Sequence, residues 1–311
     1  MAPAAPPQPI IFLVGSRKRG WLAPPTGLLK RRVAIGIELS IFTYYARLLS
    51  SMPEPLLYPT YISWKVDLLA VTDVAQLLGP ERVRKTKKAR ERLRSGAPNH
   101  LFEIEAVTPD YLDEFVPLYE SHIGAKEKGT VFDVRSRITE KMAKGFEYEA
   151  VSLRADGRLL GGMIYGVRPH TMSVAYRVFP LAMPLKLPIS CSYIAEQLLI
   201  EKALALHKRS IIHGKDRNPY GVYSSIGLAG YKLTIGCVPY VSSFEKTTFL
   251  PLDEKLIAQP TLIFLGSAMG DKISRGLLFA TEAELQAGVY GAVLKQSRVQ
   301  VETRVLLIEG Y

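Results

Sequence analysis

The stretch that decides the fold runs from residue 147 to residue 178 and reads EYEAVSLRADGRLLGGMIYGVRPHTMSVAYRV. Two β-like runs, Glu147–Arg154 and Leu159–Val167, flank the turn Ala155-Asp156-Gly157-Arg158. Asp-Gly at the centre of such a turn is a strong hairpin signal, because type I′ geometry needs positive φ at both central positions. The Arg168-Pro169-His170 turn then leads into a third strand, Thr171–Val178. Alternation along that strand puts Tyr176 and Arg177 on opposite faces, so only one of them can face any cleft that the strand lines.

On the N-terminal side, Leu101–Val107 reads as a short strand. Thr108-Pro109-Asp110 caps a helix whose apolar residues Tyr111, Leu112, Phe115, Leu118 and Tyr119 recur at helical spacing. Asp133–Lys144 is a second helix, stopped by Gly145. On the C-terminal side come an amphipathic helix (Tyr193–Lys208), a short apolar strand (Ser210–His213), a helix from about Tyr223 to Leu233, and a strand region (Val238–Phe249). The order is β-α-α-β-β-β-α-β-α-β. Farther out, Ile10–Val14 is β-like, Val33–Ser50 ends as an amphipathic helix, and Tyr61–Leu69 is a further strand. The Gly15–Gly20 loop has P-loop spacing, but Trp21 and Leu22 stand where Lys and Ser/Thr are needed, so it is no Walker motif.

The 311 residues are 48% hydrophobic and 22% charged, as in a folded domain, and no apolar run reaches the ~20 residues of a membrane-crossing helix. With no export signal read at the Ala/Pro-rich start, a cytoplasmic protein is expected. Cys191 and Cys237 sit in no metal-binding or disulfide pattern, and the five histidines are scattered, so neither metal nor cofactor is expected. The net charge of +11 is concentrated: Arg82–Arg94 holds eight basic residues against Glu91 and carries +7 of it. Such a helix attracts polyanions, with Arg84, Lys85, Lys87, Lys88 and Arg92 as candidate RNA contacts, or it is a solvated face.

The order of elements resembles the GNAT acyltransferase superfamily. Two stretches resemble its Fem-like members in particular. One is Trp64-Lys-Val-Asp67 leading into the Arg/Lys helix up to Leu93. The other is Gly227-Leu-Ala-Gly-Tyr231-Lys232-Leu-Thr-Ile235-Gly236, similar to the family's Gly-x-x-x-Phe-Lys motif with Tyr231 in place of Phe. The resemblance covers roughly Tyr61 to Phe249. It implies an α/β (α+β) fold with a GNAT-like mixed central sheet flanked by helices, and a smaller or degenerate N-terminal lobe. The expected division is an N-terminal lobe (1–80), a connecting basic helix (81–100), the acyltransferase domain (101–250) and a C-terminal extension (251–311).

It also implies aminoacyl-tRNA-dependent amide formation. That chemistry needs an activated acyl donor, a deprotonated amine and stabilisation of a tetrahedral oxyanion, but no nucleophilic side chain. Lys232 is the first catalytic candidate, as a fixed cation near the developing charge, or else a helix-end lysine favourable to the dipole. Tyr176 is the second, as proton donor or orienting group, or else an ordinary half-buried strand residue. Tyr231, Arg177 and Tyr223 are candidate substrate contacts, as are His213, Asp216 and Arg217 in the polar stretch His213–Tyr220, read as a loop after the short strand. As a lone histidine ending an apolar strand, His213 is more readily structural than a base.

GNAT folds cradle the CoA pyrophosphate on backbone N–H groups before the helix that follows the third hairpin strand. Here that segment, Phe179–Ser190, has Pro180, Pro184 and Pro188 and no glycine. Proline has no N–H to offer. Aminoacyl-tRNA is therefore the expected donor and a small-molecule or peptide amine the acceptor. An acyl-CoA-dependent N-acyltransferase and a non-catalytic RNA-binding module are the alternatives.

Overall fold

This computed structural model describes residues 12–13, 56–97, 99–126, 129–180, 183, 185–241, 248–252, 257–266, 272–295 and 298–306. The expected 15–20 loop, the 33–50 helix and most of the N-terminal lobe lie outside the described residues.

The chain opens with strands β1 (Phe12–Leu13), β2 (Leu57–Pro59) and β3 (Tyr61–Asp67). The one-turn helix α1 (Ala75–Leu78) precedes the basic helix α2 (Pro80–Gly96), whose proline sits in the first turn, where its missing N–H costs nothing. Strand β4 (His100–Ala106) and helices α3 (Pro109–Gly124) and α4 (Val134–Ala143) follow. The Thr108 hydroxyl accepts from Tyr111 N, so α3 starts at the predicted cap; the Asp133 carboxylate accepts from Ser136 N and caps α4 one residue before its first turn.

The predicted meander is present as β5 (Glu147–Ala155), β6 (Arg158–Val167) and β7 (Thr171–Val178). Its first turn has Asp156 at φ 50° and Gly157 at φ 79°, as type I′ geometry demands. Beyond it come α5 (Cys191–Ala205), β8 (Ser210–Arg217), α6 (Ile226–Thr234), β9 (Val238–Val241), β10 (Thr248–Pro251), β11 (Thr261–Leu265), β12 (Arg275–Ala280), α7 (Glu282–Gln286), α8 (Gly291–Leu294) and β13 (Gln300–Val305).

Seven strands form one mixed sheet in the order β4-β5-β6-β7-β8-β3-β9, flanked by helices. Against one face, Tyr111, Phe115 and Tyr119 of α3 and Val134 and Ile138 of α4 cluster with Ala150, Ile164 and Val178 of the strands. Close approach of α3 depends on Gly162, where a Cβ would stand 2.2 Å from the Tyr111 hydroxyl. On another cluster, Ala89 and Leu93 of α2 pack on Ile194 of α5.

Three expectations are corrected. Helix α5 is not amphipathic: Cys191, Ile194, Ala195, Glu196, Gln197, Leu199, Ile200 and Ala203 are buried and surround its axis, because α2 covers a side that a surface helix would leave to water. Residues His213 to Arg217 are strand, not loop, since β8 lies inside the sheet between β7 and β3 and finds backbone partners that composition does not reveal. The last strand region is two strands, β9 and β10, which belong to different sheets.

Two compact units interleave along the chain, which differs from the sequential division expected above. One comprises Ser63–Lys215 and Gly227–Pro239; the other comprises Met1–Ile62, Asp216–Ile226 and Tyr240–Tyr311. The second unit holds an antiparallel sheet, β1-β10-β2, and a sheet β11-β12-β13 in which β12 and β13 run parallel. Its core gathers Ile263, Leu265, Leu277 and Phe279. Buried Asn218 ties this unit together, donating to Pro59 O and Phe264 O and accepting from Phe264 N.

Candidate functional site

Strands β7 and β8 are parallel but pair only at Thr171↔Ser210, Met172↔Ile211 and Ser173↔Ile212. Beyond those pairs each strand continues without the other, to Val178 and Arg217. On its other edge β7 is bulged where its register with β6 shifts, which leaves Ala175 out of the pairing. Bulges and interrupted ladders both re-aim side chains and free backbone polar groups. The sheet therefore opens as a wedge between β7 and β8.

Five polar side chains converge there. Arg177 of β7 donates from Nη1 to Glu196 Oε1 of α5 at 2.8 Å, and the Tyr231 hydroxyl of α6 donates to the same oxygen at 3.0 Å. The other carboxylate oxygen, Glu196 Oε2, accepts no hydrogen bond and lies 3.7 Å from His213 Nε2 of β8. Lys232 Nζ donates to the His213 carbonyl at 3.0 Å and lies 5.6 Å from the centre of the Trp64 ring. The Arg177 guanidinium lies over the Tyr231 ring at 4.2 Å. Glu196 is fully buried and Lys232 and His213 nearly so, whereas the Arg177 side chain is 23% exposed. Arg177 and Tyr231, both half-buried, are the members of the cluster that reach water.

Burial opposes the Arg177 charge, but Tyr231 and the Glu196 carboxylate beside it hold its pKa above the ordinary value. Burial also raises the Tyr231 phenol well above its usual range, against the pull of Arg177, so Tyr231 is a neutral O–H donor. Lys126, just past α3, is held below its usual value by burial and then by the Arg177 charge. Lys126 is thus a second cation near Arg177.

The structure brings together the predicted residues Arg177, His213, Tyr231 and Lys232. It sets Tyr176 apart on the α3 side of the sheet, edge-on to Tyr119 with ring centres 5.4 Å apart, as strand alternation requires. Asp216, Arg217 and Tyr223 fall in the other compact unit. There Asp216 accepts from the Tyr220 hydroxyl at 2.6 Å, and Arg217 lies over Tyr223 at 4.6 Å.

The basic helix divides its charges. Arg82 turns inward and donates to Leu78 O and Thr234 O, satisfying carbonyls at two helix ends, and Arg90 faces Glu201 at 3.9 Å. Arg84, Lys85, Lys87, Lys88 and Arg92 are exposed. Glu81 engages Arg84 and Lys85, and Arg92 donates to Lys186 O. The proline-bearing segment before α5 lies against this helix, with Met183, Leu187 and Ile189 packed on the Ala89–Leu93–Ile194 cluster.

Sequence reading missed Glu196, the hub of the cluster. Its signal was a carboxylate set among the apolar residues Ile194, Ala195, Leu199 and Ile200, where an unpaired charge would be costly. It also missed Trp64, which is fully buried beneath the Lys232 ammonium. Both cysteines are buried thiols outside any disulfide, and burial pushes Cys191 up to about 11. Among the described residues, no three His, Cys, Asp or Glu side chains gather as a metal site would require, and no helix is long and apolar enough to cross a membrane.

No protein-family model matches the sequence, and no curated protein matches it either. Solved structures do align with it. The C-terminal domain of a protein assigned as a lysylphosphatidylglycerol synthetase, from Agrobacterium fabrum, is 13% identical with a TM-score of 0.40; the match covers 64% of this chain and 62% of that one. A conserved protein of unknown function from Bacteroides thetaiotaomicron is 16% identical with a TM-score of 0.40, over 68% of this chain and 67% of that one. A tandem GNAT protein from the clavulanic acid biosynthesis pathway is 12% identical with a TM-score of 0.36, over 73% and 60%. The chain therefore spans less than two thirds of the first and third of these.

Proposed function

We propose that this chain is an amide-forming acyltransferase that takes an aminoacyl group from aminoacyl-tRNA and passes it to an amine of a small molecule or peptide. The observation that carries this reading is the parting of β7 from β8, with the Arg177–Glu196–Tyr231–His213–Lys232 cluster set in the opening. In the reaction the amine nitrogen attacks the ester carbonyl carbon and a C–N bond forms. Negative charge collects on the carbonyl oxygen. The C–O bond to the tRNA ribose then breaks, and the ribose oxygen leaves with the proton that the amine gives up.

The unpaired β7 edge and the Arg177 cation are suited to the oxyanion, because fixed donors need not reorganise as charge develops. Glu196 and Tyr231 act as positioning residues that hold Arg177. Lys232 is committed to the His213 carbonyl, so its charge acts on the wedge from behind and fixes the β8 edge. Tyr176, on the opposite face, takes no part in this opening. The exposed charges of α2 suit the tRNA backbone. A proline-bearing segment packed on α2 is poorly suited to cradle pyrophosphate, which favours aminoacyl-tRNA over acyl-CoA.

The test offers the purified chain a pool of charged tRNAs and, in parallel, a set of acyl-CoAs, each with a mixture of free amines. Donor loss and new amides are followed by mass spectrometry. Consumption of a charged tRNA with a matching amide supports the reading. Turnover of acyl-CoA alone overturns the donor, and salt-dependent RNA binding with neither donor consumed reduces the chain to a binding module.

A further inference from the structure

On the α4 side of the sheet there is a cleft of about 200 Å³ that the cluster around Glu196 does not use. Its walls include Arg137 and Lys141 of α4, Arg168 after β6, Tyr148 of β5, and the Ser173–Tyr176 stretch of β7. We infer that this cleft binds the anionic head group of a small molecule, a phosphomonoester or a carboxylate, held between Arg137 and Arg168.

The charges point to this. Three cations line the cleft, and Glu147 is the single carboxylate among the lining residues. Among the described residues, no carboxylate lies within ion-pair distance of Arg137, Lys141 or Arg168. Neighbouring cations do find partners: Arg135 pairs with Asp113, and Lys144 with Glu140 at 2.5 Å. Arg137 feels the Asp133 carboxylate only from beyond ion-pair distance, so both cleft arginines keep their N–H groups for another partner.

They are also held in place. The Arg137 guanidinium lies over the Phe132 ring at 4.7 Å, and that of Arg168 over the Phe146 ring at 5.0 Å. Rings that are 40% and 38% exposed contribute little to a core; stacked under guanidiniums they fix each planar fork while leaving its N–H groups unspent. Lys208 Nζ donates to Arg168 O and Pro169 O, which steadies the turn carrying the second arginine. Gly166 lets the Tyr148 ring lie flat on β6, since a Cβ there would stand 3.3 Å from Tyr148 Cε1. Tyr148 and Tyr176 add hydroxyl groups that donate to oxyanions as readily as they accept.

The size fits a small group. A water occupies about 30 Å³ of liquid, so the cleft holds roughly half a dozen waters, enough for a phosphate or carboxylate with a short stem. Two arginine forks suit such oxyanions because each can donate two parallel hydrogen bonds. Under the transferase reading this is where an anionic acceptor would sit, since the cleft adjoins β7 where the sheet opens. Binding is measured without turnover, so it stands or falls separately.

The whole chain is titrated with phenyl phosphate, benzoate and, as the neutral probe, benzyl alcohol, by ligand-observed NMR at low salt. At least one anion should bind one-to-one with a dissociation constant near or below about 1 mM. Phenyl phosphate alone identifies a phosphomonoester site, benzoate alone a carboxylate site, and both the shared chemistry. Arg137→Gln and Arg168→Gln should each weaken binding about tenfold or more, and the double variant should abolish it. Arg135→Gln, which removes a cation from the same helix, should leave it unchanged; thermal melts show whether each variant is folded. The inference is overturned if neither anion binds, if benzyl alcohol binds as well, if the double variant keeps affinity, or if Arg135→Gln loses as much.

Discussion

The two faces of β7 treat arginine in opposite ways. Behind the strand, Arg177 is matched by a fully buried carboxylate and roofed by a tyrosine ring. In front, Arg137 and Arg168 rest on exposed phenylalanines, and among the described residues no carboxylate lies within ion-pair distance of them. The difference teaches how to separate a charge that the fold requires from one that it offers. Removing the partner of the first leaves a half-buried cation without its counter-charge, whereas removing the second leaves only solvated surface.

The sharpest way to break this comparison is Glu196→Ala. It should cost about 3–5 kcal/mol in urea unfolding, the usual penalty for stripping one partner from a buried ion pair. A loss below about 1 kcal/mol would mean that water already screens Arg177 and that the two faces do not differ. Gly162→Ala comes next. It forces a methyl against the Tyr111 hydroxyl and should destabilise by about 1–3 kcal/mol by overpacking. Because α3 forms part of the front face, anion binding in the cleft should weaken alongside stability; a stable variant with an unchanged melt would show that the helix is free to shift.

Acidification supplies a smaller effect. Glu114 is opposed by burial, but Leu159 N and Arg154 outweigh it and hold its carboxylate below the ordinary value. A depressed carboxylate adds stability above its unfolded pKa and loses it as pH falls through the folded one. Stability should therefore drop on the acid side of the usual carboxylate range. Glu114→Gln should flatten part of that drop, and identical pH profiles for the two proteins would discard the assignment. The smallest expected change is Arg137→Gln in unfolding experiments, within about 0.5 kcal/mol of the parent. A loss of several times that size would make Arg137 structural and remove the contrast.

What the sequence disclosed is local. Asp156-Gly157, the Thr108 cap, and the alternation that parts Tyr176 from Arg177 each depend on residues a few positions apart, and each is present in the structure. What it concealed is set by distant neighbours. Helix α5 reads as amphipathic because its pattern cannot show that α2 covers it, and Glu196 was passed over for the same reason. The extent of β8 depends on β3, which arrives from the other end of the unit. Lys232 stood out in its motif, yet nothing nearby predicted that the Trp64 ring and the His213 carbonyl would enclose its ammonium.

The place of β3 between β8 and β9 matters most while the protein is being made. The ribosome delivers β3 at Tyr61–Asp67, but β8 appears only from Ser210 and β9 from Val238. At roughly 5–20 residues per second, the strand waits on the order of ten to thirty seconds with both edges unsatisfied. Meanwhile β4 to β7 pair with their neighbours in sequence as they emerge. A nascent chain halted before β8 should present Ile62, Trp64 and Val66, all buried in the finished sheet, to whatever chaperone is near.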